Sequence, residues 1–292
     1  MCSMPIISRM AVALMCGLLL VPASPAQAAE KLRVVTSMST LGSLIASVGG
    51  DRVEVTSLVP IGASPEDYAP TPRDIIGLRS AQVLVQNGAG LEGWLKHTLE
   101  SARNPNVRIV TMTDGLPVQT GNPHLWMDPE FARVYVRKIR DALAASDPAG
   151  KPEYDRNAKN FDAQLVALAR WIRTQIASLP PDHRNMIVFH NAWQYYNDRF
   201  GIATVGVIER SPGQEPSPRY IGDLAALAKK NHVRAIFAEP EYSPKLVRAL
   251  ADTAHVKTVT NLYDDSLSID GSIHDYISML RYDTTTIVAA LR

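Results

Sequence analysis

Residues 151–181, KPEYDRNAKNFDAQLVALARWIRTQIASLPP, decide how the rest of the chain is organised. Phe161, Leu165, Leu168, Ile172, Ile176 and Leu179 recur three or four residues apart, which lines them along one face of an α-helix. Pro152 falls in the first turn, where its missing N–H has no intrahelical partner to lose, and Pro180 with Pro181 ends the run. The stretch is expected to form one helix from Pro152 to Leu179, about 40 Å long at roughly 1.5 Å per residue. That is longer than a strand-to-strand crossover needs. At mid-chain it reads as a rigid connector between two lobes.

On either side the pattern alternates. Before the helix, strands are expected at 31–37, 53–60, 82–87 and 107–112, with helices at 38–48, 75–80, 94–103 and 129–143. After it, strands at 185–189, 204–207, 234–238 and 257–262 alternate with helices at 192–200, 219–230, 244–254 and 272–291. Such alternation argues for βαβ units, and so for an α/β fold: two lobes, each a mainly parallel sheet flanked by helices, bridged by the one long helix. The expected boundaries are 29–150 for the N-terminal lobe, 151–181 for the linking helix and 182–292 for the C-terminal lobe. A cleft between two such lobes, beyond the carboxyl ends of the strands, is the default ligand site.

Residues 1–28 read as a signal peptide. Arg9 is followed by an apolar run from Met10 to Val21 and a small-x-small site at Ala26-Gln27-Ala28. Cleavage there predicts export to the periplasm; Met15 before Cys16 argues against a lipidated cysteine. Both cysteines, Cys2 and Cys16, lie in the leader, so the mature chain is expected to have neither disulfides nor a thiolate metal site. Lys and Arg total 30 against 29 Asp and Glu, and removal of Arg9 leaves the two signs balanced. A balanced charge gives no reason to expect nucleic acid as a partner.

Four stretches place metal-capable side chains after an expected strand: Glu66-Asp67-Tyr68 in a proline-rich loop, His124 within NPHLWMDP (122–129), His190 after NMIVF, and Asp264-Asp265-Ser266 after VKTVTNLY. Pro123 stiffens the turn that carries His124. Each has an ordinary reading: a histidine packed on Trp126, solvated loop charges, a helix-entry residue, an N-cap. Together, two per lobe and facing one cleft, two imidazoles and two carboxylates suit a divalent transition metal.

At these residues the chain resembles the metal-specific substrate-binding proteins of bacterial ABC transporters, the zinc/manganese type called cluster A-I. The resemblance rests on SPEDYAPTP (64–72), NPHLWMDP (122–129), HNAWQYYNDRFGI (190–202), PGQEPSP (212–218), IFAEPEYSP (236–244) and NLYDDSLS (261–268), in order along the whole mature chain. It implies two α/β lobes bridged by one long helix, one metal ion held between them and delivery of that ion to a membrane permease. It also implies the ligands. His124 and His190 match the family's second and third, and Asp265, before Ser266, matches the fourth. The first is usually a histidine, and here that position is Glu66, with Asp67 as the substitute. Glu239 and Glu215 are expected as supporting partners, and the other histidines as surface or packing residues.

The cargo is expected to be Zn2+, with Mn2+ as the alternative, and the protein a monomer that is not an enzyme. The long helix should restrict lobe rotation, leaving local loop movement. Two other readings compete. In a secreted zinc metallohydrolase, His124, His190 and Asp265 would hold a metal with an open position and Glu66 as base. A metal-independent adhesion protein would need no ion at all.

Overall fold

Alternating apolar residues in the strands determine how each sheet is covered, because successive side chains point to opposite faces. The computed structural model describes Met1 and residues 30–119, 121–211 and 213–292, so the expected signal peptide lies outside the described residues but for Met1. In the first half β1 (Leu32–Thr36), β2 (Val53–Ser57), β3 (Val83–Gln86) and β4 (Arg108–Thr111) form a parallel sheet in the order β2-β1-β3-β4. In the second, β5 (Asn185–Val188), β6 (Ala203–Val207), β7 (Ala235–Phe237) and β8 (Lys257–Val259) form another in the order β6-β5-β7-β8. The two sheets thus share one topology. The register of β5 on β6 shifts once, between Met186 and Ile187.

The outer faces carry separate small cores. Val35 and Leu84 pack with Leu78 of α2 (Pro72–Ser80) and with Leu95 and Ala102 of α3 (Leu95–Ala102). Ile187 and Ile236 pack with Leu224 of α7 (Pro218–Lys230) and with Val247 and Leu250 of α8 (Pro244–Ala254). The inner faces behave differently. Val34, Val83 and Val85 of one sheet and Met186, Val188, Ala235 and Phe237 of the other belong to a single apolar cluster.

That shared core is built on α5 (Lys151–Ala177), the 27-residue helix that the apolar spacing predicts. Tyr154, Ala158, Phe161, Leu165, Leu168, Ala169, Ile172 and Ile176 are its buried face. It packs against α1 (Ser39–Gly49) and α4 (Pro129–Ser146) of the first half, and against α6 (Gln194–Phe200) and α9 (Tyr276–Leu291) of the second. Each buried Leu or Ile there contributes about 2 kcal/mol by removal from water. Lys31–Arg292 consequently forms one compact unit.

Several boundaries differ from expectation, and two of them bear on the site. The helix read from 272 begins at Tyr276, because Asp275 caps it by accepting from Ser278 N (2.6 Å). The preceding residues are held in a turn in which the Asp270 carboxylate accepts from the hydroxyls of Ser268 and Ser272. The strand read from 257 stops at Val259, leaving 260–275 to run across toward the first half. Among the described residues no helix is long and apolar enough to cross a membrane.

Candidate metal centre

The segment Asn122-Pro123-His124 is fixed before any ligand arrives. Asn122 Oδ1 accepts from His124 N at 3.0 Å and lies 3.0 Å from His124 Nδ1. An amide oxygen only accepts, so Nδ1 carries the proton and Nε2 presents its lone pair. The Pro123 carbonyl accepts from Asn87 Nδ2 (2.9 Å), and Asn87 Oδ1 accepts from Tyr135 OH (2.8 Å). His124 is 2 % exposed.

His190 follows β5 and starts the 3-10 turn Asn191–Trp193. Its Nδ1 lies 3.3 Å from Glu239 Oε2, and Glu239 Oε1 accepts from Trp193 Nε1 at 3.0 Å. A carboxylate behind one ring nitrogen orients an imidazole and makes the other a better donor to a metal. The ring lies 5.2 Å, centroid to centroid, from both His124 and Tyr242.

The loop after β8 brings the carboxylates. Its backbone is anchored on the first half: Trp126 Nε1 and Thr40 Oγ1 donate to the Asp264 carbonyl at 2.9 and 3.2 Å, Gly62 N donates to Ser266 Oγ, and Leu267 N donates to Ser39 Oγ. Asp265 Oδ1 then stands 3.7 Å from His124 Nε2, and Asp264 Oδ2 3.4 Å from His190 Nε2. Glu66 comes from the loop after β2, which Trp94 Nε1 ties down at the Pro65 carbonyl (2.8 Å) and Tyr68 OH at Asp74 (3.0 Å). Its Oε1 is 3.6 Å from His124 Nε2, whereas the neighbouring Asp67 is exposed.

Of the four residues expected from the sequence, His124, His190 and Asp265 form one buried cluster, and Glu66 approaches it through His124. Donor atoms of His124, His190 and Asp265 lie within 4.8 Å of one another. His124 Nε2, His190 Nε2, Asp264 Oδ2 and Asp265 Oδ1 are each buried without a hydrogen-bond partner. Buried polar atoms are almost always partnered, so the three orphans of His124, His190 and Asp265 clustered together, with Asp264 Oδ2 beside His190, point to an occupant. Two imidazole nitrogens facing carboxylate oxygens at 3.4–3.7 Å are a set that a divalent transition ion would satisfy.

The electrostatics agree. Burial, with His190 nearby, holds the His124 imidazole well below its usual range, so it stays neutral. Burial pulls His190 down too, but the carboxylates of Glu239, Asp264 and Asp265 outweigh it and push it up. Burial raises Asp264, Asp265 and Glu66 above ordinary carboxylates, and Glu241, close by, to about 7. An excess of buried acid that a cation would relieve is the common feature.

The outer residues sort less well. Glu239 supports His190 as expected, but Glu215 is exposed on the loop before α7 beside Arg210 and Gln214, and is no partner of the centre. The stretch PGQEPSP (212–218) had suggested it; position on an exposed loop removes it. Asp264, named from the sequence with Asp265 but not chosen as a ligand, also reaches the centre, and the Tyr242 side chain there was not foreseen. The paired Asp264-Asp265 was a visible signal for the first, and Tyr242 carried none. His97 and His274 are exposed, and His232 and His255 sit exposed at positive φ where α7 and α8 end.

Comparison with known proteins places this geometry. The chain is 32% identical over 267 residues to the manganese-binding lipoprotein MntA of Halalkalibacterium halodurans, an alignment covering 90% of this chain and 89% of the relative. Its structure resembles the periplasmic zinc binding protein TroA from Treponema pallidum, with a TM-score of 0.81 at 25% identity over 89% of this chain and 99% of that one. It likewise resembles a cadmium-bound periplasmic metal binding protein from Candidatus Liberibacter asiaticus, with a TM-score of 0.80 at 27% identity over 90% and 100%. The family model described as zinc-uptake complex component A, periplasmic (ZnuA), matches residues 34–290, and the chain belongs to that family of metal-binding ABC transporter substrate-binding proteins.

Proposed function

We propose that this protein captures one divalent transition-metal ion with Glu66, His124, His190 and Asp265 and hands it to the permease of an ABC transporter for uptake. The single observation that supports this ligand set is that His124, His190 and Asp265 bring donor atoms, buried without a hydrogen-bond partner, within 4.8 Å of one another, with Glu66 Oε1 3.6 Å from His124 Nε2. Glu66 is favoured over Asp67 as the first ligand because its carboxylate approaches His124 Nε2 while Asp67 faces solvent. Zn2+ is the favoured cargo, since it ranks above Mn2+ at almost any nitrogen and oxygen site, and Mn2+ is the alternative because half the donors are carboxylates. MntA and TroA, named for manganese and zinc, bracket that choice. The reading includes export to the periplasm, removal of the leader and action as a monomer.

The lobes are taken as 29–150 and 182–292, joined by 151–181. A core shared through α5 supports capture by local loop movement rather than rotation of one half against the other. Membership of a transport family leaves the hydrolase and adhesion readings without support.

The test is metal content by elemental mass spectrometry after the metal-free protein is offered equimolar Zn2+ and Mn2+. Wild type should hold about one ion per chain. Glu66→Ala should weaken it by about tenfold or more, and Asp67→Ala should leave it unchanged. Binding that ignores Glu66 would remove it from the ligand set, and absence of any bound ion would reject the receptor reading.

A further inference from the structure

We propose that Asp264 is a fifth protein donor, and that its carboxylate narrows the advantage of Zn2+ over Mn2+. The inference rests on the metal site proposed above and adds a residue to it. Asp264 is 1 % exposed. Its local structural duties are carried by other atoms. The backbone carbonyl accepts from Trp126 Nε1 and Thr40 Oγ1, and Oδ1 accepts from Asp265 N at 2.5 Å. Oδ2 has none of these tasks. It is buried without a hydrogen-bond partner and stands 3.4 Å from His190 Nε2, a nitrogen equally without one. Donor atoms of His190, Glu239 and Asp264 also lie within 4.8 Å of one another.

A serine or asparagine could shape the same turn without burying a charge. A second carboxylate beside Asp265 costs stability unless a cation shares it. The count of donors gives the chemical consequence. Zinc sites close with about four ligands in a tetrahedron. Glu66, His124, His190 and Asp265 already supply four, so Asp264 adds little to tetrahedral Zn2+. An ion that takes about six ligands and prefers oxygen gains from a third carboxylate. Manganese is that ion among those the donor set suits. Asp264 thus acts on selectivity rather than on capture as such.

The experiment measures Zn2+ and Mn2+ dissociation constants by chelator competition on wild type, Asp264→Asn and Asp264→Ser. Asparagine keeps the shape and an acceptor for Asp265 N. Serine is the second variant if asparagine perturbs folding, which circular dichroism reports. Either variant should weaken Mn2+ by about tenfold and Zn2+ by about threefold or less, so the ratio of the two constants moves. Electron paramagnetic resonance of bound Mn2+ gives an independent readout, and its spectrum should change between wild type and Asp264→Asn. Equal shifts for both metals, or no shift with an unchanged manganese spectrum, would overturn the role of Asp264 alone. A wild-type protein that binds neither ion would overturn the metal site beneath it.

Discussion

The two sheets have the same strand order, yet the crevices at their centres are used in opposite ways. In each, the chain leaves the middle of the sheet in two directions, between β1 and β3 in one and between β5 and β7 in the other. Ligands of parallel sheets favour such points. In the first half the crevice holds Glu92, whose carboxylate accepts from Ser37 Oγ, Asn87 N and Gly88 N at 2.6, 2.7 and 3.0 Å. In the second it holds His190 and Glu239, with His190 Nε2 facing Asp264 and no hydrogen bond made. Both crevices bury charge. The Glu92 carboxylate is fully partnered whereas Asp264 Oδ2 is not, so satisfaction rather than burial separates a structural acid from a binding one.

That contrast can be broken by substitution. The largest effect should come from His124→Ala, which removes a nitrogen from the orphaned group. Metal affinity should fall about a thousandfold, roughly 4 kcal/mol, with the thermal stabilisation by added Zn2+ lost in parallel. Isothermal titration beside a melting series checks both. Glu92→Gln should do the reverse. It leaves Asn87 N or Gly88 N facing an amide that cannot serve all three donors, at about 2 kcal/mol in urea unfolding, with about one ion still bound. If it emptied the metal site without unfolding the protein, the two crevices would not be separate in function.

Asp265→Asn sharpens the comparison from the other side. Removing an unpaired buried carboxylate should stabilise the metal-free protein by about 1 kcal/mol while weakening metal binding. A loss of stability comparable to that of Glu92→Gln would mean that Asp265 is held as Glu92 is. The smallest effect belongs to the surface. Arg133 makes a two-pronged contact with Asp162 that joins α4 to α5, but both side chains are about a third exposed. Arg133→Met should cost about 0.5 kcal/mol by urea unfolding and leave metal binding alone.

Much of this could be read from sequence because it is local or periodic. The face of α5 follows from residues three and four apart, and its ends from Pro152 and Pro180. The strands were legible from their apolar runs, His124 from its stiff flank, and His190 from its place directly after a strand. Other features depend on contacts far apart in the chain. The Asp264 carbonyl meets Trp126 and Thr40 from 138 and 224 residues away, and those bonds decide which Asp264 oxygen is left free. No spacing rule reports that. Glu92, which no motif singled out, gains its Ser37 donor only when β1 and β3 lie side by side. Glu215 shows the converse, since a motif drew attention to a residue that the fold leaves in solvent.

The most direct test is to crystallise the metal-loaded protein and locate the ion by anomalous scattering at its absorption edge. The account predicts one dominant peak among His124 Nε2, His190 Nε2, Asp265 Oδ1 and Glu66 Oε1, with the loop anchored on Trp126 in place. A dominant peak elsewhere, or a peak with Asp265 and His124 outside coordination distance, would contradict it.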